Sequence, residues 1–181
     1  MTEKRSLTRR MTYTALMAVL IVICSWITVP APVPFTLQTF AVFCAVGMLG
    51  GEMGAVSVLL YILLGAVGLP VFSGFSGGIG HLLGPTGGYI VGFIFSALAY
   101  WLVTRLLGEK PLIMVIAMTL GLLVCYAFGT AWFIFVYSRR VAAIGLMQAL
   151  GMCMFPFIIP DAVKIGCAMV VVSQLRRRVK L

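Results

Sequence analysis

The chain has 181 residues, of which 62% are hydrophobic and 9% charged, with a mean hydropathy of +1.16. That leaves too little polar surface to cover a water-soluble globule and describes an integral membrane protein. Thirteen Lys and Arg against four acids give a net charge of +9. The excess lies in short clusters beside apolar runs, a pattern of basic cytoplasmic flanks rather than of a nucleic-acid-binding face.

A helical span needs about 20 apolar residues, so about six crossings and their turns fill one polytopic domain over residues 1–181. Lys4, Arg5, Arg9 and Arg10 precede an apolar run from Met11 to Val29 that has no small-x-small cleavage site. It reads as a retained first span and not as a signal peptide. The proline-rich VPAPVP at 29–34 cannot continue a helix and must turn the chain at the far side. A short second span, 36–49, ends at Gly50-Gly51-Glu52, and a third, 53–69, returns outward.

From Pro70 to Gly87 the chain is too rich in Gly, Ser and Pro for a helix and too apolar for a solvated linker. Irregular backbone of this kind is tolerated at membrane depth only where protein or a polar cavity covers it. Span four runs from Gly88 to Leu107 and ends in a turn carrying Arg105, Glu109, Lys110 and Pro111. Span five covers 112–135. The next apolar stretch, 141–155, is too short to cross and reads as a helix lying near the outer surface. Span six, 157–175, completes an all-α membrane protein with both termini on one side. That side holds Lys4, Arg5, Arg9, Arg10, Arg105, Lys110, Arg176, Arg177, Arg178 and Lys180, against Arg139 and Arg140 outside, so both ends are expected to be cytoplasmic.

With so few charges available, Asp161 and Lys164 inside span six are the most informative residues. Each costs about 2.5 to 3.5 kcal/mol at a helix centre, less near an end, and a spacing of three places them on one face. They either neutralise each other as an internal salt bridge or await a small solute that offers N–H donors to the carboxylate and an oxygen to the ammonium. The loop GLPVFSGFSGGIGHLLGPTGGY, 68–89, lies on the same outer side. Its glycines lack the GxGxxG spacing and βαβ context of a dinucleotide site, and no GxxxxGK[ST] occurs, so neither dinucleotide binding nor ATP hydrolysis is expected.

Within that loop His81, the one histidine, is placed to hydrogen-bond a ligand or a backbone carbonyl. Gly84, Gly88 and Gly92 recur every four residues, as at a close helix–helix contact. Tyr89 heads span four, and Phe35, Thr36 and Gln38 head span two, all at the level of a pocket with an apolar wall and polar tips. Trp26, Trp101 and Trp132 read as interface anchors or packing residues. The five cysteines form no CxxC, so neither a metal site nor a disulfide frame is indicated. Thr14-x-x-x-Ala18 and Ala15-x-x-x-Val19 form a narrow small-residue stripe on span one that admits another transmembrane helix.

Three stretches, PVPFTLQTFAV at 32–42, GLPVFSGFSGGIGHLLGPTGGYIVGF at 68–93 and PFIIPDAVKI at 156–165, together resemble the BioY family, the biotin-binding membrane subunits (S components) of energy-coupling factor (ECF) transporters. The resemblance implies an S-component bundle, an irregular Gly-rich outer loop between helices 3 and 4, and a location in the plasma membrane of a prokaryotic-type cell. It implies biotin as the bound substrate, contacted by Asp161 and Lys164 of the PDxxK element, with no cofactor in this chain. The outer loop and the turn before span two become covers over the cavity. It also implies two ATPase partners and a transmembrane coupling subunit, docked on the face of Thr14, Ala15 and Ala18, which matches the family's AxxxA pattern only imperfectly.

Two other classes compete. A channel or facilitator would spread polar groups along several spans, whereas here they collect at one level. An intramembrane enzyme would need a nucleophile with a base, or paired acids, and only one acid lies inside the membrane. Within the first class, a different small vitamin is the nearest rival.

Overall fold

The computed structural model describes residues 2–31 and 33–178, with side chains from Thr8 onward. Of the basic residues counted above, Lys180 and the side chains of Lys4 and Arg5 lie outside the described residues.

The first helix, α1 (Thr2–Trp26), starts earlier than hydropathy places it, because its first turns carry the basic cluster, and stops before the prolines. Residues 28–29 are not helical. They form strand β1 (Thr28–Val29), which pairs antiparallel with β2 (Phe35–Thr36) through Thr28↔Thr36 and Val29↔Phe35, so the proline-rich turn closes a miniature hairpin.

The helix that follows, α2 (Gln38–Ala66), is uniformly apolar but breaks at Gly50, whose φ of 79° is left-handed. There the chain folds back. A Cβ added at Gly54 would lie 2.6 Å from the Cα of Val46, and Gln38 Nε2 donates to the Tyr61 hydroxyl at 2.7 Å, contacts impossible in a straight helix. The expected second and third spans are therefore the two limbs of one folded helix, 38–49 and 51–66. Among the described residues five helices are long and apolar enough to cross a membrane; counting the two limbs of α2 separately gives the six expected passes.

The outer loop is less irregular than its composition implies. It contains a single 3-10 turn (Ser73–Phe75) and a one-turn helix, α3 (Ile79–Leu82). Phe72 fills the space that Gly65 leaves open, where a Cβ would come within 2.0 Å of the ring, and this seats the loop on the second limb. Then come α4 (Gly87–Leu107) and α5 (Pro111–Arg140), the latter longer than the expected span five. The surface helix expected over 141–155 is α6 (Leu146–Cys153), and α7 (Ile158–Arg178) is the last.

Helices α4 and α5 meet through glycines. Gly88 faces Trp132, Gly92 faces Cys125, Gly121 faces Ser96 and Gly129 faces Tyr89, so two of the three glycines in the four-residue series serve helix packing. Gly84 instead offers its carbonyl to Trp132 Nε1 at 3.0 Å. Around the first limb of α2, where no residue from 38 to 50 is exposed, α1, the second limb, α4, α5 and α7 form the core with Ile21, Phe43, Val46, Tyr61, Met118 and Val172.

Both described ends of the chain lie at one end of the bundle. There Arg176 of α7 donates through Nε to the Gly47 carbonyl at 2.6 Å and through Nη1 to Glu109 at 2.7 Å, joining α7, the Gly50 turn and the α4–α5 connection. The opposite end carries the hairpin, the Gly-rich loop and α6.

Candidate binding site

The site is built where α7 begins. Pro156 and Pro160 limit the chain to a helix start, since a first-turn proline gives up an N–H that has no helical partner anyway. Asp161 follows in the first turn, where the helix dipole favours an anion. One turn on, Lys164 Nζ lies 2.7 Å from Asp161 Oδ1. Both residues are buried, at 2% and 6% exposure.

Neither is satisfied by the other alone. Lys164 Nζ also donates to the Thr36 carbonyl at 2.6 Å and lies 4.1 Å from the centre of the Phe35 ring. Asp161 Oδ2 accepts from the Tyr126 hydroxyl at 2.5 Å. The pair thus ties together α5, α7 and β2. A carboxylate offers about four acceptor positions and an ammonium three donors, so two acceptor positions and one donor are left over. Acid and base thus hold each other while each keeps capacity for a further partner.

Beside them opens a recess of about 610 Å³, measured to include its open mouth. Its walls are apolar, from Val33, Ile90, Phe93, Leu122 and Phe157. Its polar tips come from five elements: Thr36 on β2, Gln38 at the head of α2, Ser73 and Thr86 from the outer loop, Tyr89 on α4, and Asp161 with Lys164 on α7. A mostly apolar concavity with a few convergent polar groups is the usual form of a small-molecule site. Among the described residues no three His, Cys, Asp or Glu side chains gather to hold a metal.

Of the residues expected from sequence, Asp161, Lys164, Gln38 and Tyr89 line this recess together. Tyr89 lies flat against Gly129, where a Cβ would come within 2.3 Å of its ring, and its hydroxyl reaches Thr130 Oγ1 at 2.9 Å. Phe35 stands behind the lining, against Lys164 and stacked 5.9 Å from Phe157. His81 lies outside it. Its ring stacks on Phe72 at 5.4 Å, and its buried Nε2 has no hydrogen-bond partner among the described residues. Burial holds that imidazole below its ordinary value.

Sequence reasoning missed Tyr126. The one available signal was a lone phenol in the middle of an apolar helix, which needs a polar partner somewhere within lipid depth.

The small-residue stripe on α1 divides. Thr14 and Ala18 face inward, at 5% and 1% exposure, and the Thr14 carbonyl accepts from Ser57 Oγ at 3.1 Å. They pack the bundle and offer no open surface, a correction to the docking face expected for them. Ala15 does point outward, in line with Met11, Val19 and Ile23.

Comparison with known proteins agrees with this geometry. A solved structure described as the S-component for biotin from an ECF-type ABC transporter superposes with a TM-score of 0.85 at 28% identity, covering 96% of this chain and 93% of that one. A second, the S component of a bacterial ECF transporter, shares the fold alone, with a TM-score of 0.50 at 15% identity and coverage of 95% of each chain. The chain is 41% identical to a probable biotin transporter BioY of Pyrococcus horikoshii over 80% of its length and 82% of the relative's. It is 38% identical to the biotin transporter BioY of Thermotoga maritima over 87% and 82%. The family model described as BioY family matches residues 1–181, and the chain belongs to the BioY family.

Proposed function

We propose that this chain captures biotin and mediates its uptake as the substrate-binding subunit of an ECF-type transporter. It is a multi-pass plasma-membrane protein, and its work is transport, not catalysis. The observation that carries the site assignment is the buried Asp161–Lys164 pair beside an apolar recess. An ion pair retained in a membrane protein at a cost of several kcal/mol marks a binding or transport site by default.

Biotin brings two ureido N–H donors, a ureido carbonyl, an apolar sulfur ring and a carboxylate tail. Asp161 accepts from the ureido N–H, and Lys164 turns from Thr36 toward the ureido oxygen or the tail carboxylate. Ile90, Phe93, Leu122 and Phe157 enclose the ring system, with Gln38 and Tyr89 at the polar rim. The outer loop and the β1–β2 hairpin cover the entrance.

Orientation follows from charge. Arg9, Arg10, Arg105, Lys110, Arg176, Arg177 and Arg178 mark the end with both termini as cytoplasmic, so the recess opens to the outside. A coupling subunit and ATPases supply the energy, and the outward line of Met11, Ala15, Val19 and Ile23 on α1 is the face on which the coupling subunit docks.

The test is equilibrium binding of biotin, against a panel of other vitamins, to the purified chain in lipid nanodiscs. One biotin per chain is expected, with no ATP consumption. Asp161→Asn should weaken binding at least about a hundredfold, through the loss of a charged acceptor and the bare ammonium left behind. Unaltered binding by Asp161→Asn and by Lys164→Ala would place the site elsewhere.

A further inference from the structure

We infer that Tyr126 is a positioning residue for solute capture: it holds the Asp161 carboxylate in place at the moment Lys164 is drawn away to the solute. This rests on the reading of Asp161 and Lys164 as the binding pair.

Three observations carry it. Tyr126 is buried, and its hydroxyl donates to Asp161 Oδ2, whereas Lys164 occupies Oδ1. The two partners therefore grip opposite oxygens, which fixes a side chain whose last torsion is otherwise broad. Second, Tyr126 is absent from the recess lining although its neighbours Leu122 and Cys125 are part of it, so it stands behind the carboxylate and leaves the solute's side open.

Third, the two donors differ in what else they can do. Lys164 has alternatives, since it already shares its protons with the Thr36 carbonyl and can turn to a solute oxygen. A phenol has one proton to give, and among the described residues this one gives it to Asp161 alone. Two nearby donors are already engaged: the Cys125 thiol on α5 is directed to the Tyr89 carbonyl at 3.6 Å, and the Tyr89 hydroxyl on α4 is paired with Thr130.

When a solute carbonyl or carboxylate takes the ammonium, Oδ1 loses its partner. Without Tyr126 the carboxylate would then be held by the solute's N–H alone and free to rotate away from it. Ordering the acceptor in advance lowers the cost of binding. The neutral phenol does this without competing electrostatically for the solute's polar groups, as a second cation would.

The experiment is biotin titration of the full chain in nanodiscs, for the parent, Tyr126→Phe, Asp161→Asn and the double variant. Tyr126→Phe should bind about ten- to a hundredfold more weakly, the scale of one hydrogen bond to a charged group. The double variant should be no weaker than Asp161→Asn, because the phenol acts only through the carboxylate. Asp161 is the chain's one aspartate, so a single carbon-13 carboxylate label reports on it by infrared spectroscopy. Its band should differ between the unliganded parent and Tyr126→Phe, and should shift on adding biotin.

Parent-like affinity in Tyr126→Phe together with weak binding by Asp161→Asn overturns this inference and leaves the site assignment standing. Parent-like affinity in Asp161→Asn overturns the assignment itself. Should the Phe variant not fold, fluorinated tyrosines introduced at position 126 alter hydroxyl acidity at nearly constant shape. Affinity must then follow the acidity series, and a flat series overturns the role.

Discussion

Each end of the bundle has an acid–base pair closed at 2.7 Å, and the two pairs do opposite work. At the inner end Arg176 and Glu109 are half-exposed, at 29% and 44%, and come from elements 67 positions apart in sequence. At the outer end Asp161 and Lys164 belong to one helix turn and are almost fully enclosed. An exposed pair loses little hydration and contributes roughly 0 to 1 kcal/mol, here while satisfying the Gly47 carbonyl that the break at Gly50 leaves without a helical donor. An enclosed pair loses several kcal/mol of hydration per ion, and replacing both members by apolar groups is often neutral for stability. Equal distances thus carry unequal meaning: the inner pair fastens loops, and on the proposed function the outer pair is kept to meet the solute.

The sharpest break of this contrast is to remove the outer pair entirely. Asp161→Leu with Lys164→Met should abolish measurable biotin binding, a loss of more than about a hundredfold, yet unfold thermally at or above the parent temperature. Binding that survives in the double variant would make the outer pair as structural as the inner one.

Next in size is a packing change at the inner end. A Cβ at Gly51 would lie 2.3 Å from the Cα and Cβ of Trp101, so Gly51→Ala must push α2 from α4. A loss of about 1 to 3 kcal/mol is expected in denaturation measurements, with biotin affinity little changed. Arg176→Ala should cost no more than about 1 kcal/mol, should matter less in high salt, and should leave affinity at the parent value.

The smallest effect concerns His81. Burial favours its neutral ring in the folded protein, so its contribution is complete above the ordinary value of 6.5 and is lost as pH falls below that toward the lower folded value. Protection factors of the outer-loop amides, taken against the intrinsic exchange rate at each pH, should fall between about pH 7.5 and pH 5 in the parent, and His81→Gln should flatten the change.

Which of these residues the sequence made visible follows from physical range. Hydropathy, prolines and basic clusters act locally, so the crossings, the surface helix and the shared side of the termini could be read directly. The fold-back inside α2 also has a local cause, but adjacent glycines left uncertain which of them breaks the helix; Gly50 does, and Gly51 is already helical. Asp161 and Lys164 stood out because lipid makes charge expensive. Tyr126 did not, because its partner is 35 positions away and nothing about an apolar helix says which face looks inward. The α1 stripe failed for the same reason: Thr14 and Ala15 are adjacent in sequence, and only packing sends one inward and the other out.

The first limb of α2 has a consequence for the surrounding bilayer. Over 38–49 it is about 18 Å long, well short of a hydrocarbon core of about 30 Å. Exposed to lipid it would pinch the membrane, but no residue from 38 to 50 is exposed. The exposed apolar side chains belong to the elements around it, so bilayer thickness should act on the tilt of the whole protein and bear little on the head of α2, and with it Gln38.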